Sequence, residues 1–571
     1  MADLADLRWL WTDDSALHLH GLAVTRLTPG PAPLLSPGGS FVVVGSDSET
    51  TLLRLDVALG GAVGFWHPGA GWDRHLEADW MSGWRTVGLV DSVPLGCLYD
   101  DSGRSVLGFA ADRLVPDTRV RFGVRERDGR FGVWLAMDLR SDDVCRIRIA
   151  APGAAFGETV RSLTRWQSGS AALPVPEAGR VPAYSTWYSY HQEVRATAIE
   201  AEARLAAEAG CGLLILDDGW QRGAHGGGYA GCGDWEPDPE KFPDFGAHVA
   251  TVHELGLKYL AWIAPLLLGD DSAARGRLAA FAPHAVPRWR CHVLDPRHEE
   301  VRRFVVDTCV RFVDRYGLDG LKIDFLDAAR VYDDVGEAMR TLLTDLRDRL
   351  RAIRGADLLI ELRQPYTGPA MREFGNLLRA GDCPADAAAN RVRTLDLSAA
   401  GRESAVHSDM LMWDPRATPQ VAARQVLSVL HAVPQISVRL ADLPADHRAM
   451  TAFWLAFWRE YRDVLMLGAL DAGRPDELHP VVIASDAARA VITYHARGRA
   501  ASVDPTRFAE IAVVNNTGAE RVLLDFTRPA AVRLDLWDTC GTPVRSDTAR
   551  LEPGPRWLAV PPSGLCLIKP V

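Results

Sequence analysis

The stretch Gly320-Leu321-Lys322-Ile323-Asp324-Phe325-Leu326-Asp327 decides the fold prediction for this chain of 571 residues. It is a short apolar segment that ends in charged residues, as expected of a buried parallel strand. Side chains alternate along a strand with period two, so we expect Lys322 and Asp324 to face the same side. A neighbouring ammonium favours the ionised carboxylate, which predicts that Asp324 is a nucleophile at a strand end. The alternative interpretation is a salt bridge that only holds two barrel layers together.

Composition limits the range of functions. The formal net charge is −11 and no basic stripe is present, so nucleic acid is not an expected partner. The nine cysteines include no CxxC pair and their number is odd, which predicts reduced thiols, with neither a zinc site nor a disulfide framework. Residues 1–6 are acidic and lack the features of a signal peptide, and the longest apolar run, 259–268, is too short to cross a bilayer. We therefore expect a cytoplasmic protein without a membrane partner, for which homo-oligomerisation stays open.

The chain changes its pattern twice. Residues 1–175 alternate apolar and polar side chains in short runs such as Ser40-Phe41-Val42-Val43-Val44, which predicts an N-terminal β-sandwich. A proline-rich joint at 173–182 precedes a segment, 176–470, in which strands and helices alternate. Residues 471–571 again contain only short strand patterns, which predicts a small C-terminal antiparallel β-domain.

The middle segment predicts a (β/α)8 barrel, so the fold class is α/β with a central barrel between two β-domains. Helices are predicted over 196–209, ending at Gly210, and over 301–316, ending at Gly317. Eight strand patterns, most of them separated by helices, fit the eight units of such a barrel. The candidate strands are 186–188, 212–216, 259–263, 320–323, 358–362, 377–380, 405–407 and 436–439.

Polar residues follow most of the predicted strands, and in a barrel this end carries the active site. Carboxylates that accept hydroxyl protons, beside tryptophans that cover sugar C–H faces, predict a polyol pocket. The alternative is a set of capping aspartates and core tryptophans. The residues concerned are Trp187, Tyr188, Asp217, Asp218, Asp234, Trp235, Lys322, Asp324, Glu361, Arg363, Arg379, Asp382, His407 and Asp409.

Two further features have less specific patterns. The glycine-rich loop 226–231 lacks the ending of a phosphate-binding loop, so we interpret it as a mobile rim of the pocket. Four tryptophans of the first segment, Trp66, Trp72, Trp80 and Trp84, are interpreted as core or interface residues. The alternative for them is a lid over the pocket.

Several motifs together resemble glycoside hydrolase family 36, which shares a clan of α-galactosidases with family 27. The resemblance extends over residues 187–465, and flanking β-domains are also a property of that family. The motifs are Leu216-Asp217-Asp218-Gly219-Trp220, Gly233-Asp234-Trp235, Lys241-Phe242-Pro243, Leu321-Lys322-Ile323-Asp324-Phe325 and Arg379-Ala380-Gly381-Asp382.

The resemblance implies a retaining, exo-acting α-galactosidase that uses a double displacement and needs no cofactor or metal. Asp324 is the implied nucleophile and Asp382 the implied acid/base. The implied substrate-binding residues are Asp217 and Asp218 for the 4- and 6-hydroxyls, Lys322 for the 3- and 4-hydroxyls, Trp235 as a stacking platform, and Trp187, Arg363 and Arg379. An oligosaccharide or glycoside is the implied substrate.

The sequence departs from the family after the fifth strand. Typical members have a Cys and a Ser-Gly-Gly run there, near the 2-hydroxyl, whereas this chain has Glu361-Leu362-Arg363-Gln364-Pro365-Tyr366. The related activities α-N-acetylgalactosaminidase, β-L-arabinopyranosidase and raffinose-synthase-like transglycosylase therefore stay open. Two other classes also remain: a magnesium-dependent enolase-type barrel with Asp324, Glu361 and Asp382 as ligands, and a non-catalytic sugar-binding barrel.

Overall fold

The computed structural model describes residues 16–36, 41–45, 50–139, 143–168, 172–401 and 403–571. The predictions for residues 1–6 and for Ser40 lie outside these ranges. A closed barrel of eight parallel strands lies between two β-domains, which confirms the predicted fold class. None of the helices in these ranges is both long and apolar enough to cross a lipid bilayer.

The N-terminal domain is a sandwich of two six-stranded sheets whose inner faces bury alternate apolar side chains. In spatial order, the first sheet contains Leu17–Leu19, Leu22–Arg26, Thr50–Ala58, Arg130–Asp138, Thr118–Val124 and Arg85–Val87. The second contains Leu34–Leu35, Val42–Gly45, Val144–Ala150, Ser105–Ala111, Leu95–Asp100 and Ala62–Trp66. The helix Phe156–Ser168 follows the sandwich.

The barrel strands are short and almost fully buried, as expected when helices cover a parallel sheet. They are β1 (Ala183–Ser185), β2 (Leu213–Leu216), β3 (Lys258–Ile263), β4 (Gly320–Ile323), β5 (Leu359–Arg363), β6 (Leu377–Arg379), β7 (Ala405–Leu411) and β8 (Val433–Ile436). Gly320 is required where β4 passes β5, because a Cβ atom there would lie 1.7 Å from the carbonyl oxygen of Leu359.

Helices connect the strands on the outside of the barrel. The predicted helices are confirmed at Ala196–Ala209 and Glu299–Tyr316, and each ends at a left-handed glycine, Gly210 or Gly317. The other helices are Trp187–Tyr190, Phe245–Glu254, Arg275–Leu278, Gly336–Arg354, Ala387–Gly401, Pro419–Ser428, Ala445–Glu460 and Arg462–Leu467. Short 3-10 segments occupy Glu177–Arg180, Ala279–Phe281, Pro287–Trp289, Leu326–Val331, Gly355–Asp357, Pro369–Glu373, Leu440–Asp442 and Pro475–Glu477.

The helical ring is incomplete between β5 and β6, where the 3-10 turn Pro369–Glu373 replaces a helix. The helix Phe156–Ser168 packs against this turn and against the helix Ala387–Gly401, so the N-terminal domain fills the gap. The sandwich therefore lies beside the loops that follow β5 and β6.

Two barrel strands differ from their predicted positions. The prediction of a strand at 186–188 is wrong, because β1 ends at Ser185 and Trp187 begins a helical turn. The prediction at 436–439 is also wrong, because β8 ends at Ile436. Pro434 of β8 cannot donate to the sheet, and the register with β7 shifts between His407 and Met410 at this level.

The C-terminal domain consists of two sheets that are mostly antiparallel, with one parallel pair in each. The larger contains Ala469–Asp471, Val481–Ser485, Arg489–Tyr494, Glu510–Asn515, Leu565–Pro570, Ala530–Trp537 and Pro543–Leu551. The smaller contains Ala500–Val503, Arg521–Phe526 and Gly554–Ala559.

A three-stranded sheet of Leu267–Gly269, Cys291–Val293 and His284–Val286 is inserted between β3 and β4.

Candidate active site

Asp324 follows β4 directly and is held by four hydrogen-bond donors. Its Oδ1 accepts from the backbone N–H of Phe325 at 2.7 Å, from Arg363 Nε at 2.5 Å and from the Tyr366 hydroxyl at 3.1 Å. Its Oδ2 accepts from Trp262 Nε1 at 2.9 Å. Phe325 adopts a left-handed backbone conformation with φ of 56°, which is rare for a non-glycine residue. Oδ1 is thus saturated with donors, whereas Oδ2 keeps a lone pair for chemistry.

Two cations keep Asp324 ionised. Burial acts to raise its pKa, but the guanidinium of Arg363 and then the ammonium of Lys322 outweigh burial and hold the pKa well below the usual range. The sequence identified Lys322 as the cation beside this carboxylate. The structure adds Arg363, whose charge acts more strongly on Asp324.

Lys322 connects β4 to the paired aspartates that follow β2. Its Nζ lies 2.5 Å from Asp217 Oδ2 and 3.9 Å from Glu361 Oε1. The backbone N–H of Asp218 donates to Asp217 Oδ1 at 2.9 Å. Asp217 and Asp218 are 3% and 2% exposed, so both carboxylates lie inside the barrel mouth.

Asp218 differs from Asp324 in its surroundings. Its two oxygens accept from the side-chain amides of Gln192 and Gln221, each at 2.7 Å, and no cation contacts it in the part of the chain that the structure describes. Burial raises the pKa of Asp218 to about 6, although the two amides act to lower it. This carboxylate therefore titrates close to neutral pH.

Arg379 of β6 organises the opposite side of the site. It is 1% exposed, and its Nη1 lies 2.5 Å from Asp409 Oδ1 while its Nη2 lies 3.0 Å from Asp382 Oδ1. Asp409 also accepts from the Tyr188 hydroxyl at 3.0 Å and from the backbone N–H of Cys383 at 2.7 Å. Contacts with Asp409 therefore fix the loop that carries Asp382 at Arg379 on one side and at Cys383 on the other.

Asp382 is the most solvent-accessible carboxylate of this group, with a side chain that is 56% exposed. Burial acts to raise its pKa, but the charges of Arg379, Arg363 and Lys322 lower it below the usual value. The negative charge of Asp324 acts in the opposite direction on Asp382, because the two carboxylates share one electrostatic environment. In the free site, Asp382 is therefore ionised at neutral pH.

The two predicted sugar-stacking tryptophans have different environments. Trp187 is partly exposed and contacts the ring of His191 edge-on at 4.9 Å between centroids. Trp235 is only 3% exposed, and its ring packs against Trp262 at 5.7 Å and Trp220 at 6.2 Å. Little of the Trp235 ring is left to cover a sugar.

The interpretation of the four N-terminal tryptophans as core or interface residues holds only in part. Trp66 is fully buried and donates from Nε1 to Asp396 of the barrel at 2.9 Å, so it lies at a domain interface. For Trp72 and Trp80 the interpretation is wrong, since they are 47% and 55% exposed.

The sequence reasoning missed several residues that contact the site carboxylates, among them Trp262, Tyr366 and Gln192. Trp262 and Tyr366 donate to Asp324, and Gln192 donates to Asp218. Gln192 also accepts from the backbone N–H of Gly227 at 2.8 Å and thereby ties the glycine-rich loop to the site. Trp262 was detectable as the penultimate residue of a predicted strand, but the other two had no local signal.

Three acidic residues of the barrel that could serve as metal ligands lie beside arginines. Asp324 pairs with Arg363, Asp382 pairs with Arg379, and Glu361 lies 3.7 Å from Arg379 Nε. Within the described ranges, the one group with the spacing of metal ligands is Asp73, His75 and Glu77 in the N-terminal domain. The three carboxylates that the enolase-type hypothesis needs as ligands each lie within 4 Å of an arginine.

Comparisons with known proteins agree with the predicted resemblance. Residues 181–341 match the family model described as melibiase. α-Galactosidase AgaA of Geobacillus stearothermophilus is 29% identical over 130 residues, which cover 22% of this chain and 17% of that protein. α-Galactosidase 1 of Pediococcus pentosaceus is 29% identical over 125 residues, covering 21% and 17%. The matched segments therefore span about a sixth of the length of these curated relatives.

Solved structures share the fold over almost the whole chain. The crystal structure of family 36 α-galactosidase AgaA from Geobacillus stearothermophilus in complex with 1-deoxygalactonojirimycin covers 97% of this chain and 82% of its own, with a TM-score of 0.64 at 14% identity. An α-galactosidase from Thermus thermophilus covers 82% and 97%, with a TM-score of 0.58 at 18% identity. The resemblance to glycoside hydrolase family 36 is confirmed by the family match and by this fold.

Proposed function

We propose that this chain, whose barrel matches the melibiase family and whose fold is that of the family 36 enzymes, is a retaining α-galactosidase. It removes terminal α-galactosyl residues from oligosaccharides or glycosides by a double displacement. The observation that carries the proposal is the buried, ionised Asp324 with one oxygen free of the three donors that hold the other. A carboxylate in this state is prepared to attack an anomeric carbon.

In the first step, Asp324 Oδ2 attacks the anomeric carbon and the bond to the leaving oxygen breaks. Asp382 supplies a proton to that oxygen, and the sugar becomes an ester of Asp324. In the second step, Asp382 removes a proton from water, the water oxygen attacks the same carbon, and Asp324 leaves as a carboxylate. The charge of Arg363 favours that departure because it stabilises the carboxylate over the ester.

The ionised resting state of Asp382 suits the second step better than the first. Proton donation in the first step requires the small fraction of the free enzyme in which Asp382 is protonated. Leaving groups that need little protonation avoid this requirement, so turnover is expected to depend strongly on the leaving group.

Recognition of galactose is proposed to rest on the pair Asp217 and Asp218 with Lys322. Adjacent carboxylates accept hydrogen bonds from neighbouring hydroxyls, each worth roughly 1.5–3 kcal/mol net. An axial 4-hydroxyl meets these acceptors, whereas the equatorial one of a glucoside leaves a buried carboxylate unpaired. Arg363 and Tyr366 take the place of the typical strand-5 residues, so α-N-acetylgalactosaminidase and β-L-arabinopyranosidase activities are retained as alternatives.

A panel of aryl glycosides tests the proposal: α-galactoside, α-glucoside, α-N-acetylgalactosaminide and β-L-arabinopyranoside. We expect the α-galactoside to have the highest kcat/KM, and the preference over the α-glucoside to be largely lost in Asp218→Ala. Equal hydrolysis of the α-glucoside would contradict the galactose assignment. Products formed in the presence of sucrose separate hydrolysis from transglycosylation, and loss of activity on chelation would revive the magnesium hypothesis.

Domain limits, location and assembly are proposals as well. The limits are 1–175, 176–470 and 471–571, which follow the changes of pattern in the sequence. A cytoplasmic location is proposed from the cysteines, which are free thiols and show no disulfide framework, and a homo-oligomer is the candidate assembly.

A further inference from the structure

A cavity of about 440 Å³ lies between the N-terminal domain and the barrel. The sandwich contributes a wall that includes Gly69 and Ser92, and the loops after β5 and β6 contribute the opposite wall. The volume lies within the range of about 300–1,000 Å³ that is usual for small-ligand sites. The incomplete helical ring brings the two domains together at this place.

The cavity opens beside the proposed acid/base, since Asp382 and Arg363 both line it. A group that protonates the leaving oxygen must lie on the leaving-group side of the sugar. Under the proposed function, the cavity therefore receives the leaving group of the substrate. Ser92, in its wall, adopts a left-handed conformation with φ of 55°, and its backbone N–H donates to the carbonyl of Pro365 at 3.3 Å, which joins the two walls.

Most charges in the cavity wall have a partner of opposite sign. Arg363 pairs with Asp324, and Asp382 with Arg379. The other two acidic residues of the wall are also paired, Asp91 with Arg330 and Asp396 with Arg74.

Arg393 is the exception among the described residues that line the cavity. It lies on the helix Ala387–Gly401, and its Nη1 donates to the backbone carbonyl of Asp382 at 2.6 Å. Within the ranges that the structure describes, no carboxylate lies within 4.0 Å of this guanidinium. A positive charge therefore remains in a cavity that is otherwise balanced.

We propose that this cavity is the leaving-group site and that Arg393 selects leaving groups that carry an oxyanion. The inference rests on the proposed function. A guanidinium binds a carboxylate or a phosphoryl group through a fork of N–H donors, which gives both strength and orientation. The preferred substrates are thus α-galactosides of acidic leaving groups, such as sugar acids or phosphorylated polyols, in place of purely neutral oligosaccharides.

Matched benzyl α-galactosides test the selection, with a 4-carboxy, a 4-phosphono or a neutral 4-carbamoyl substituent. We expect kcat/KM to be about tenfold higher for at least one acidic probe than for the neutral one, as a charge-assisted hydrogen bond predicts. Arg393→Gln should bring the ratio close to one, while Arg424→Gln, an exposed arginine of another helix, should leave it unchanged. The acidic probe with the higher kcat/KM shows whether the site prefers a carboxylate or a phosphoryl group. Equal kcat/KM in the native protein, or an unchanged ratio in Arg393→Gln, would overturn the selection.

A steric variant tests the position of the leaving group independently. A Cβ atom at Gly69 meets nothing closer than 3.5 Å, so Gly69→Leu is expected to fold and to fill part of the cavity. It should lower kcat/KM for all three benzyl galactosides at least several-fold and spare α-galactosyl fluoride, whose leaving group is a single atom. Gly83→Leu is the control, since a Cβ there meets nothing within 4 Å. Equal losses on benzyl galactosides and the fluoride would overturn the placement. Failure to hydrolyse the fluoride at all would refute the proposed function itself.

Discussion

At the scale of single residues, Asp218 has a charge state unlike that of its neighbours. Its pKa is raised to about 6 by burial, and its ionised form is the one that accepts hydroxyl hydrogen bonds. For 4-nitrophenyl α-galactoside, whose leaving group needs little protonation, we predict that kcat/KM rises with pH and levels off above about 6. Gln192→Leu removes a donor that lowers this pKa, so the rise of kcat/KM should occur at higher pH. Gln420→Leu, at an exposed position, should leave the pH of this rise unchanged. An unchanged pH profile in Gln192→Leu would contradict the assignment of the rise to Asp218.

Asp382 determines a second prediction at this scale. Asp382→Ala should lower kcat/KM for a galactosyl disaccharide by roughly 10²–10⁴-fold, since its alkoxide leaving group needs a proton. The aryl galactoside should lose much less in this first step. Because the pKa of Asp382 lies below its usual value, kcat/KM of the native protein for the disaccharide should fall as the pH rises above that pKa, since the protonated fraction of Asp382 falls. Equal losses on both substrates would assign the role elsewhere, with Asp386 as the first candidate.

At the scale of secondary-structure elements, the end of β5 contacts the nucleophile through Arg363. In Arg363→Met the pKa of Asp324 should rise, because the strongest opposing charge is removed. Asp324 would then be a poorer leaving group in the second step, so the glycosyl-enzyme should accumulate. We predict a burst of 4-nitrophenol and a larger fall in kcat than in kcat/KM.

Arg363→Lys is the matched variant, since it keeps a positive charge and loses the guanidinium geometry. It should show a smaller burst than Arg363→Met. Mass spectrometry of the intact protein should accordingly detect less glycosyl-enzyme in Arg363→Lys than in Arg363→Met. Equal falls in kcat and kcat/KM without a burst would contradict this role for Arg363.

The elements also show what sequence patterns can and cannot predict. The limits of β4 at Gly320–Ile323 were predicted correctly because its apolar run is bounded by charged residues. Residues 187–190 are rich in aromatic side chains and favour a strand locally, yet they form a helical turn. β8 was displaced in the prediction because Pro434 and a buried Gln435 conceal the strand pattern.

The residues of the candidate site also differ in how far a sequence pattern can predict them. The structure brings Asp217, Asp218, Lys322 and Asp324 together because strand ends converge at one barrel face. Tyr366, which follows its strand by three residues, and Gln192, in the loop after β1, depend on how a loop folds back. Contacts of that kind are fixed by tertiary packing and carry no periodic signal.

At the scale of the whole molecule, all three domains meet at one buried ion pair. Arg74 of the sandwich lies 2.7 Å from Asp396 of the barrel and 3.4 Å from His479 of the C-terminal domain. Burial lowers the pKa of His479 to about 3, and its Nδ1 faces the carbonyl of Ala472 at 2.8 Å, so it is neutral and accepts from Arg74.

Removing one member of this buried pair should destabilise the molecule. Arg74→Leu leaves Asp396 without its cation, which costs roughly 3–5 kcal/mol of unfolding free energy. The double variant Arg74→Leu/Asp396→Leu should recover part of that loss because no buried charge remains unpaired. Thermal unfolding of both proteins compares them; a double variant no more stable than Arg74→Leu would show that the pair does not act as a unit.

The central claim is that Asp324 forms the glycosyl ester, and azide rescue of Asp324→Ala tests it most directly. The variant should fold and lose several orders of magnitude in turnover, since no nucleophile remains. Azide fits the space left by the carboxylate and attacks from the same face, so activity on an aryl α-galactoside should return with β-galactosyl azide as the product. Asp327→Ala, which removes a carboxylate from the next turn, should need no azide. Near-normal turnover in folded Asp324→Ala, or rescue that yields the α-azide, would contradict the claim.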